Sequence, residues 1–392
     1  MLLHLCEDEK FIDHVIDTFE TVAPCKNIYY IQPSQKNDQL KLVKTKHPNI
    51  VSVPVESKEF KNIINNIKTY DAVILHCYQN PYKTKVVREA PPGVHFHWMC
   101  WGSDLYSIPA LSKNLLLKQT KKYILDQLGL KGRIRTFLYE NCYSIFAKIF
   151  QLKNKTVHPI IEQIRSFQKI HSVSTVIPSD FELIKKYISS QMVHIPYKYG
   201  TLETLLEGHY DTTCSGENFL VGNSAYVSNN HLEIIKELYK IDLTNIKIYL
   251  PMSYGNEQYA EFIETKGKKI LKENFFTLKK FLPLEEYNQI LNTCGNVVMN
   301  HTRQQAMGNI IMSLWKGARV FLNRKNPAFH FFKDEGFRIF EINEIKNYRS
   351  LPDFKELASH NRPFLKKIYS RDKVIEETQV LVNYLSKKKN YT

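Results

Sequence analysis

The chain of 392 residues contains no run of about 18 uncharged apolar residues, so no membrane-spanning helix is expected. Its seven cysteines (6, 25, 77, 100, 142, 214 and 294) are odd in number, scattered, and form no CxxC pair. That usage suits a reducing compartment and argues against both a disulfide framework and a structural zinc site. The N-terminal MLLHLCEDEK turns acidic without a basic start, so no signal peptide is expected. There is no GxGxxG, which argues against a nicotinamide or flavin cofactor, and no D-x-D, the usual anchor for a metal-held diphosphate. RNP, helix-turn-helix and zinc-finger patterns are missing too, against a nucleic-acid partner.

What the chain has in excess is positive charge. The formal net charge is +15, and residues 111–170 hold nine Lys and three Arg against one Asp and two Glu, a local excess of +9. In that window basic residues alternate with Leu, Ile, Phe and Tyr (LLLKQTKKYILDQL, RIRTFLYENCYSIFAKIF). An anionic partner is implied, such as a lipid surface or a phosphorylated substrate; a solvated helical face is the competing account.

Short apolar runs alternate with helical patterns twice along the chain. MLLHLC, NIYYIQP, NIVSVPV, DAVILHC and VHFHWMC read as strands, with FIDHVIDTFETV and SKEFKNIINNIKTY as helices. Residues 107–170 read as a basic helical segment, followed by strand ends in HSVSTVIPSD and MVHIPYKYG. Around 198–217 the period breaks, as in a linker. The second alternation has strands NFLVGNS, IKIYLPMSY, FFTLKKFL, GNVVMNH, RVFLN and FRIFEI. Its helices are HLEIIKELYKI, EQYAEFIETKGKKIL, LEEYNQILNTC and RQQAMGNIIMSLWKGA, and the tail from about 352 reads as helices with a frayed end. The expected fold is α/β, with domains at 1–200 and 201–392, each Rossmann-like and facing a central cleft, the plan of GT-B proteins. Periodicity alone does not separate that plan from two-domain binding proteins or epimerases.

In open α/β sheets ligands sit at the carboxyl ends of strands, so strand-to-helix turns hold the candidates. LVGNSAYVSNNH sets Gly222, Asn223 and Ser224 after a strand and Ser228–Asn230 before a helix, where small residues let N–H groups approach a phosphate. MNHTRQQAMGNI sets Arg303, Gln304 and Gln305 at the opening of an amphipathic helix, with Gly308 and Asn309 one turn in. An arginine there opposes the helix dipole unless an anion such as a diphosphate is bound, so binding without a metal is expected; a surface arginine is the alternative. Tyr254 and Asn256 of LPMSYGNEQY offer stacking or hydrogen bonds to a nucleobase, or form a simple turn.

The first half offers LHCYQNP, IPSD with Asp180, and above all VHFHWMCWGSDLY at 94–106, where polar tips crowd a strand. His95 and His97 share one strand face, but no third metal ligand accompanies them. Asp104, in the turn behind Gly102, is the candidate base, with a helix N-cap as the bland reading. His97 and His76 are further catalytic candidates, and His95, Trp98, Trp101 and Asn80 form an acceptor-side set.

Five blocks in this order carry a resemblance: WGSDLY (101–106), LVGNSAYVSNNH (220–231), LPMSYGNEQY (250–259), RQQAMGN (303–309) and FLNRKNP (321–327). They resemble the bacterial 4-acetamido-4,6-dideoxygalactose (Fuc4NAc) transferases, glycosyltransferase family fifty-six, over about residues 70–330. As the pattern is placed, the family has a histidine two residues before the tryptophan of WGxDLY, where this chain has Met99. The resemblance implies a TDP-Fuc4NAc donor, a lipid-linked acceptor on undecaprenyl diphosphate, and a peripheral place at the cytoplasmic face of the bacterial inner membrane. The basic window 111–170 would then meet the anionic membrane surface. A GDP-fucose-dependent fucosyltransferase, or a basic binding protein without catalysis, are the alternatives.

Overall fold

The computed structural model describes residues 1–34, 39–207, 210–280 and 282–387. Among them, seven strands build one parallel sheet: β1 (Leu2–Glu7), β2 (Asn27–Gln32), β3 (Ile50–Val51), β4 (Ala72–His76), β5 (Phe96–Cys100), β6 (Ile170–Thr175) and β7 (Val193–His194). Their order is β3-β2-β1-β4-β5-β6-β7, so the winding reverses between β1 and β4. Six further strands build a second parallel sheet: β8 (Phe219–Val221), β9 (Ile248–Pro251), β10 (Phe275–Leu278), β11 (Asn296–Met299), β12 (Arg319–Leu322) and β13 (Phe340–Glu341). Their order β10-β9-β8-β11-β12-β13 reverses between β8 and β11. Both sheets are α/β doubly wound, as the alternation predicts.

The central strands AVILH and FHWMC are buried at every position, which parallel sheets covered by helices on both faces require. The helix Phe11–Val22 shows how the sequence achieves that cover. Ile12, Val15, Ile16 and Phe19 fall on one stripe and share a core with β1, β2 and the helix Arg371–Lys387, through its Leu381, Val382 and Leu385. Each such side chain contributes about 1.5–3 kcal/mol on burial.

The chain divides into two compact units. The first comprises Met1–Ser112, Leu138–Thr201 and the segment from Tyr369 onward; the second comprises Lys113–Phe137 and Leu202–Ile368. Two segments therefore lie in other units than a single cut after residue 200 assigns them. The helix Arg371–Lys387 returns to the first unit, where Arg371 grips Asp17 through both terminal guanidinium nitrogens at 2.5 and 3.1 Å. The first part of the basic segment joins the second unit because Glu233 caps the helix Lys118–Asp126. Its carboxylate accepts from the N–H groups of Gln119 and Thr120 and from Thr120 Oγ1, and Tyr123 stacks on Phe262 at 4.0 Å. Residues 208–209 of the expected linker, and 388–392 of the expected frayed end, lie outside the described residues.

Candidate functional site

The reversal point of the second sheet gathers three of the expected turns. Gly222 follows β8 with φ +70°, and a Cβ there would lie 2.6 Å from both Asn229 Oδ1 and His231 Nε2, so glycine is required by backbone and by space. Asn229 Oδ1 accepts from the Asn223 N–H at 2.9 Å and lies 2.9 Å from His301 Nε2. Gln305 bridges the two loops, donating to Asn223 Oδ1 and accepting from Ser228 Oγ, both at 3.0 Å. Asn223 in turn donates to the Tyr254 hydroxyl at 2.9 Å, and Ser224 is buried beside Asn229. The loops after β8, β9 and β11 thus meet through Asn223, Ser228, Tyr254 and Gln305.

The loop after β11 differs from expectation. The helix begins at Met307, not Arg303, because Ala306 sits in the left-handed region (φ 60°, ψ 30°), which cannot continue a right-handed helix. Arg303, Gln304 and Gln305 are loop residues, so Arg303 does not open the helix and does not oppose that helix's dipole as expected. Gly308 and Asn309 lie in the first turn, and a Cβ on Gly308 would touch only Leu205 Cδ2 at 3.6 Å, so packing does not demand glycine there. Three buried polar atoms at this end have no hydrogen-bond partner: His231 Nε2, His301 Nδ1 and Gln304 Oε1. Burial, then the Arg303 charge, holds His301 neutral, well below the usual imidazole range. His301 and Asn229 were not picked out from the sequence as site residues, although a histidine directly after the apolar run NVVM was a visible signal.

In the first unit the polar crowd of VHFHWMCWGSDLY has mostly internal partners. Asp104 is fully buried, and its carboxylate accepts from the Cys100 thiol at 3.7 Å and from four N–H groups. These are the Tyr78 N–H (2.8 Å), Trp98 Nε1 (2.7 Å), the Trp101 N–H (3.0 Å) and the Leu105 N–H (3.1 Å). Burial raises its pKa, outweighing these donors. A carboxylate so enclosed ties β5 to the turns after β4 and β5, and this corrects the expectation of a base. His97 is likewise enclosed, with Nδ1 2.9 Å from Ser172 Oγ and Nε2 3.0 Å from Ser174 Oγ. His76 lies 3.0 Å from His4 and 3.1 Å from the Tyr199 hydroxyl. Burial holds both rings neutral, so neither reaches a substrate as the sequence reading expected.

Of the acceptor-side set, Trp98 packs the core against Phe167 with ring centres 5.0 Å apart, and His95 lies 3.2 Å from Ser172 Oγ. Trp101 is half-buried, edge-on to Tyr199 and Phe11. Asn80 caps the helix Pro81–Glu89 and donates to Gln32 Oε1 at 2.8 Å, at the carboxyl edge of the sheet. Asp180 accepts from the Tyr106 hydroxyl at 2.7 Å in the core.

Sequence reasoning missed Glu7, the last residue of β1 at the reversal point. Its Oε2 pairs at 2.5 Å with Lys83, which is fully buried and also donates to the carbonyls of His76 and Cys77. Its other oxygen, Oε1, is buried without a hydrogen-bond partner. Burial raises the Glu7 pKa against the opposing pull of Lys83. The signal was the acidic CEDEK closing an apolar strand. Among the described residues, no group of three or more His, Cys, Asp or Glu side chains could hold a metal ion.

The sequence model of one family, described as 4-alpha-L-fucosyltransferase, glycosyl transferase group 56, matches residues 165–360, half of the chain. Among solved structures, the chain is similar to sucrose-phosphate synthase from Thermosynechococcus elongatus, with a TM-score of 0.60 at 10% identity over 98% of this chain and 99% of that one. An alpha,alpha-trehalose-phosphate synthase (UDP-forming) from Burkholderia vietnamiensis gives 0.59 at 7% identity, again over 98% and 99%. A glycosyltransferase from Rickettsia africae gives 0.58 at 10% identity over 100% and 99%. At these identities the likeness is one of fold, and the fold is GT-B.

Proposed function

Because the chain belongs to the 4-alpha-L-fucosyltransferase family, glycosyl transferase group 56, we propose that it transfers Fuc4NAc from its TDP form to a lipid-linked oligosaccharide. The acceptor would be carried on undecaprenyl diphosphate, in bacterial surface polysaccharide synthesis. That the chain is a glycosyltransferase follows from the family itself, which removes the non-catalytic binding protein as an alternative. The family description names fucosyl transfer, so GDP-fucose is the rival donor.

The observation that carries the donor side is the joining of Asn223, Ser228, Tyr254 and Gln305 at the reversal point of the second sheet, the usual ligand position in such sheets. In this reading the turn Gly222–Ser224 lies against the diphosphate, but not through all three backbone N–H groups as the sequence suggests, because those of Gly222 and Asn223 donate to Val298 O and Asn229 Oδ1 at 2.9 Å. Arg303, with Gln304, Gly308 and Asn309 nearby, neutralises it without a divalent ion. A charge-assisted bond from Arg303 contributes about 1.5–3 kcal/mol. Arg303→Ala is therefore expected to weaken TDP binding roughly ten- to a hundredfold without lowering the melting temperature. Titration calorimetry checks this; unchanged TDP affinity removes Arg303 from the donor site.

The acceptor reading brings a membrane with it. Among the described residues no helix is long and apolar enough to cross a bilayer. The helix Leu130–Asn141 buries none of its residues and exposes Leu130, Ile134 and Phe137 at helical spacing beside Lys131, Arg133 and Arg135. The helix Tyr143–Asn154 exposes Ile145, Ile149 and Leu152 in the same spacing, with Lys148 and Lys153. Exposed apolar stripes flanked by cations suit the face of an anionic leaflet, each basic residue adding about 1 kcal/mol. We assign this surface to the cytoplasmic face of the bacterial inner membrane. Binding to anionic vesicles should fall as salt rises. It should weaken when Lys118, Lys121, Lys122, Arg133 and Arg135 become Gln, with TDP affinity unchanged. Equal sedimentation with neutral and anionic vesicles, or none with either, would remove the membrane role.

A further inference from the structure

We propose that the second unit carries a saccharide-binding groove at the amino end of its sheet, opposite the turns proposed for the donor. The groove holds about 380 Å³ and takes an uncharged oligosaccharide. It goes beyond the sugar-transfer reading and does not depend on it. Asn218 directly precedes β8, and Asn245 and Lys247 precede β9, whereas the donor turns follow those strands. One strand face and one helix face make its walls, and both belong to the second unit.

The sequence explains why packing leaves this space open. In β9 and β10, Ile248, Leu250 and Phe275 point into the core, so by the two-residue period Tyr249 and Phe276 point to the other face. The two are partners in the register of these parallel strands, with ring centres 5.5 Å apart and planes tilted by 34°. Across the groove lies the helix Leu284–Thr293, whose Glu286, Gln289, Ile290 and Thr293 follow one helical stripe. A stripe that packs on a sheet is ordinarily apolar, and three of these four residues are polar. The helix therefore borders a groove where an apolar helix would close on the strands. Asn218 fixes one end, accepting from the Lys247 N–H at 2.8 Å and donating to Thr293 Oγ1 at 3.0 Å.

The lining matches the chemistry of a sugar. A pyranose ring offers an apolar C–H face to an aromatic ring and, around its edge, hydroxyls that each donate and accept. Tyr249 and Phe276 supply the aromatic strip. Phe276 keeps 38% of its surface exposed although it lies on the edge strand β10, where bare aromatic residues invite unwanted pairing. Lys247 Nζ lies 5.7 Å from the Phe276 ring centre. Asn245 brings an exposed carboxamide and Glu286 an exposed carboxylate, with Gln289, which also donates to Glu285 Oε1 at 3.3 Å, beside them. Charge then selects among ligands. The lining holds one cation, Lys247, and one anion, Glu286, so it offers a phosphate or a nucleotide no excess of positive charge. Its volume is that of a small-ligand site, not of a protein interface, which buries roughly 800 Å² per partner. A short uncharged sugar chain meets all of these conditions. Such a groove keeps a glycan on the enzyme without occupying the donor turns.

The test titrates the purified chain by calorimetry with maltotetraose and with N-acetylated chitotetraose, each with and without excess TDP. A heparin tetrasaccharide serves as the anionic probe. At least one uncharged tetrasaccharide is expected to bind with a Kd on the order of millimolar or tighter, equally with and without TDP, and the heparin probe more weakly. Phe276→Ala should weaken that binding about two- to tenfold, and Glu286→Ala combined with Gln289→Ala by a similar factor. Both helix positions are exposed, so the double variant decides if Phe276→Ala melts early. Wild type that binds neither uncharged tetrasaccharide overturns the groove. So does binding that the folded double variant leaves unchanged, binding displaced by TDP, or tighter binding of the heparin probe. No transfer is measured, so failure of the sugar-transfer reading leaves this result standing, and loss of the groove leaves that reading intact.

Discussion

Asp104→Ala is expected to destabilise the first unit by about 3–5 kcal/mol, because it removes a buried carboxylate and leaves its donors unpaired. The donors are the N–H groups of Tyr78, Trp101 and Leu105 and the indole of Trp98, with none of the carboxylate exposed to solvent. For a unit of this size that loss corresponds to a fall in melting temperature of roughly 6–20 °C. Asp104→Asn keeps the shape but turns an amide NH2 toward groups that need an acceptor, so it too should melt early. The enclosed position thus predicts a stability phenotype where a base would give an activity phenotype. A folded Asp104→Ala that melts with wild type and has lost turnover would contradict it.

Acid is the second large effect. Burial lowers the pKa of His4 to about 3 and that of His231 to about 3, and holds His76, His97 and His301 well below the ordinary value as well. A histidine whose folded pKa is depressed leaves the folded state unprotonated while the unfolded chain gains protons below its ordinary pKa near 6.5. Stability from these rings is therefore full above about pH 6.5 and falls as pH drops from there toward the folded pKa. Between pH 7 and pH 5 the loss is on the order of 2 kcal/mol each for His4 and His231, one in each unit. Glu7, Glu9 and Asp104, raised by burial, work in the opposite direction, but His14 and His194 are lowered by burial too, so seven imidazoles stand against three carboxylates. Urea denaturation at pH 7 and pH 5 should show the midpoint falling; an unchanged or rising midpoint would show that these rings are not buried neutral.

Much of the fold was legible because burial writes a period into the sequence. FIDHVIDTFETV and EQYAEFIETKGKKIL form helices over those same residues, Phe11–Val22 and Glu257–Leu271. The helix after β11 was extended too far because its apolar stripe runs back through Ala306, and periodicity does not report the left-handed φ that breaks it. The donor-side turns were legible from small and polar residues directly after strands, a local signal.

The first-unit site was misread for a nonlocal reason. Polar residues inside a buried strand signal either chemistry or partners, and the partners of His97 and His76 come from β6, β1 and the chain after β7. That pairing depends on strand order, which one sequence does not display. Glu7 was passed over because an acidic residue after a strand also reads as an ordinary start to the next helix. Placing 113–137 in the second unit depends on Glu233, more than a hundred residues away in the chain.

Sugar transfer itself is the property on which every assigned role depends. The purified chain would be given TDP-Fuc4NAc, UDP-sugars and GDP-fucose in turn, with an undecaprenyl-diphosphate-linked acceptor and EDTA present throughout. Nucleoside diphosphate release and the mass of the acceptor would be followed together. Acceptor-dependent release of TDP and an acceptor heavier by one Fuc4NAc residue, both undiminished by EDTA, are expected. Release confined to GDP-fucose, turnover only after Mg²⁺ or Mn²⁺ is restored, or no acceptor-dependent release from any donor would contradict that expectation.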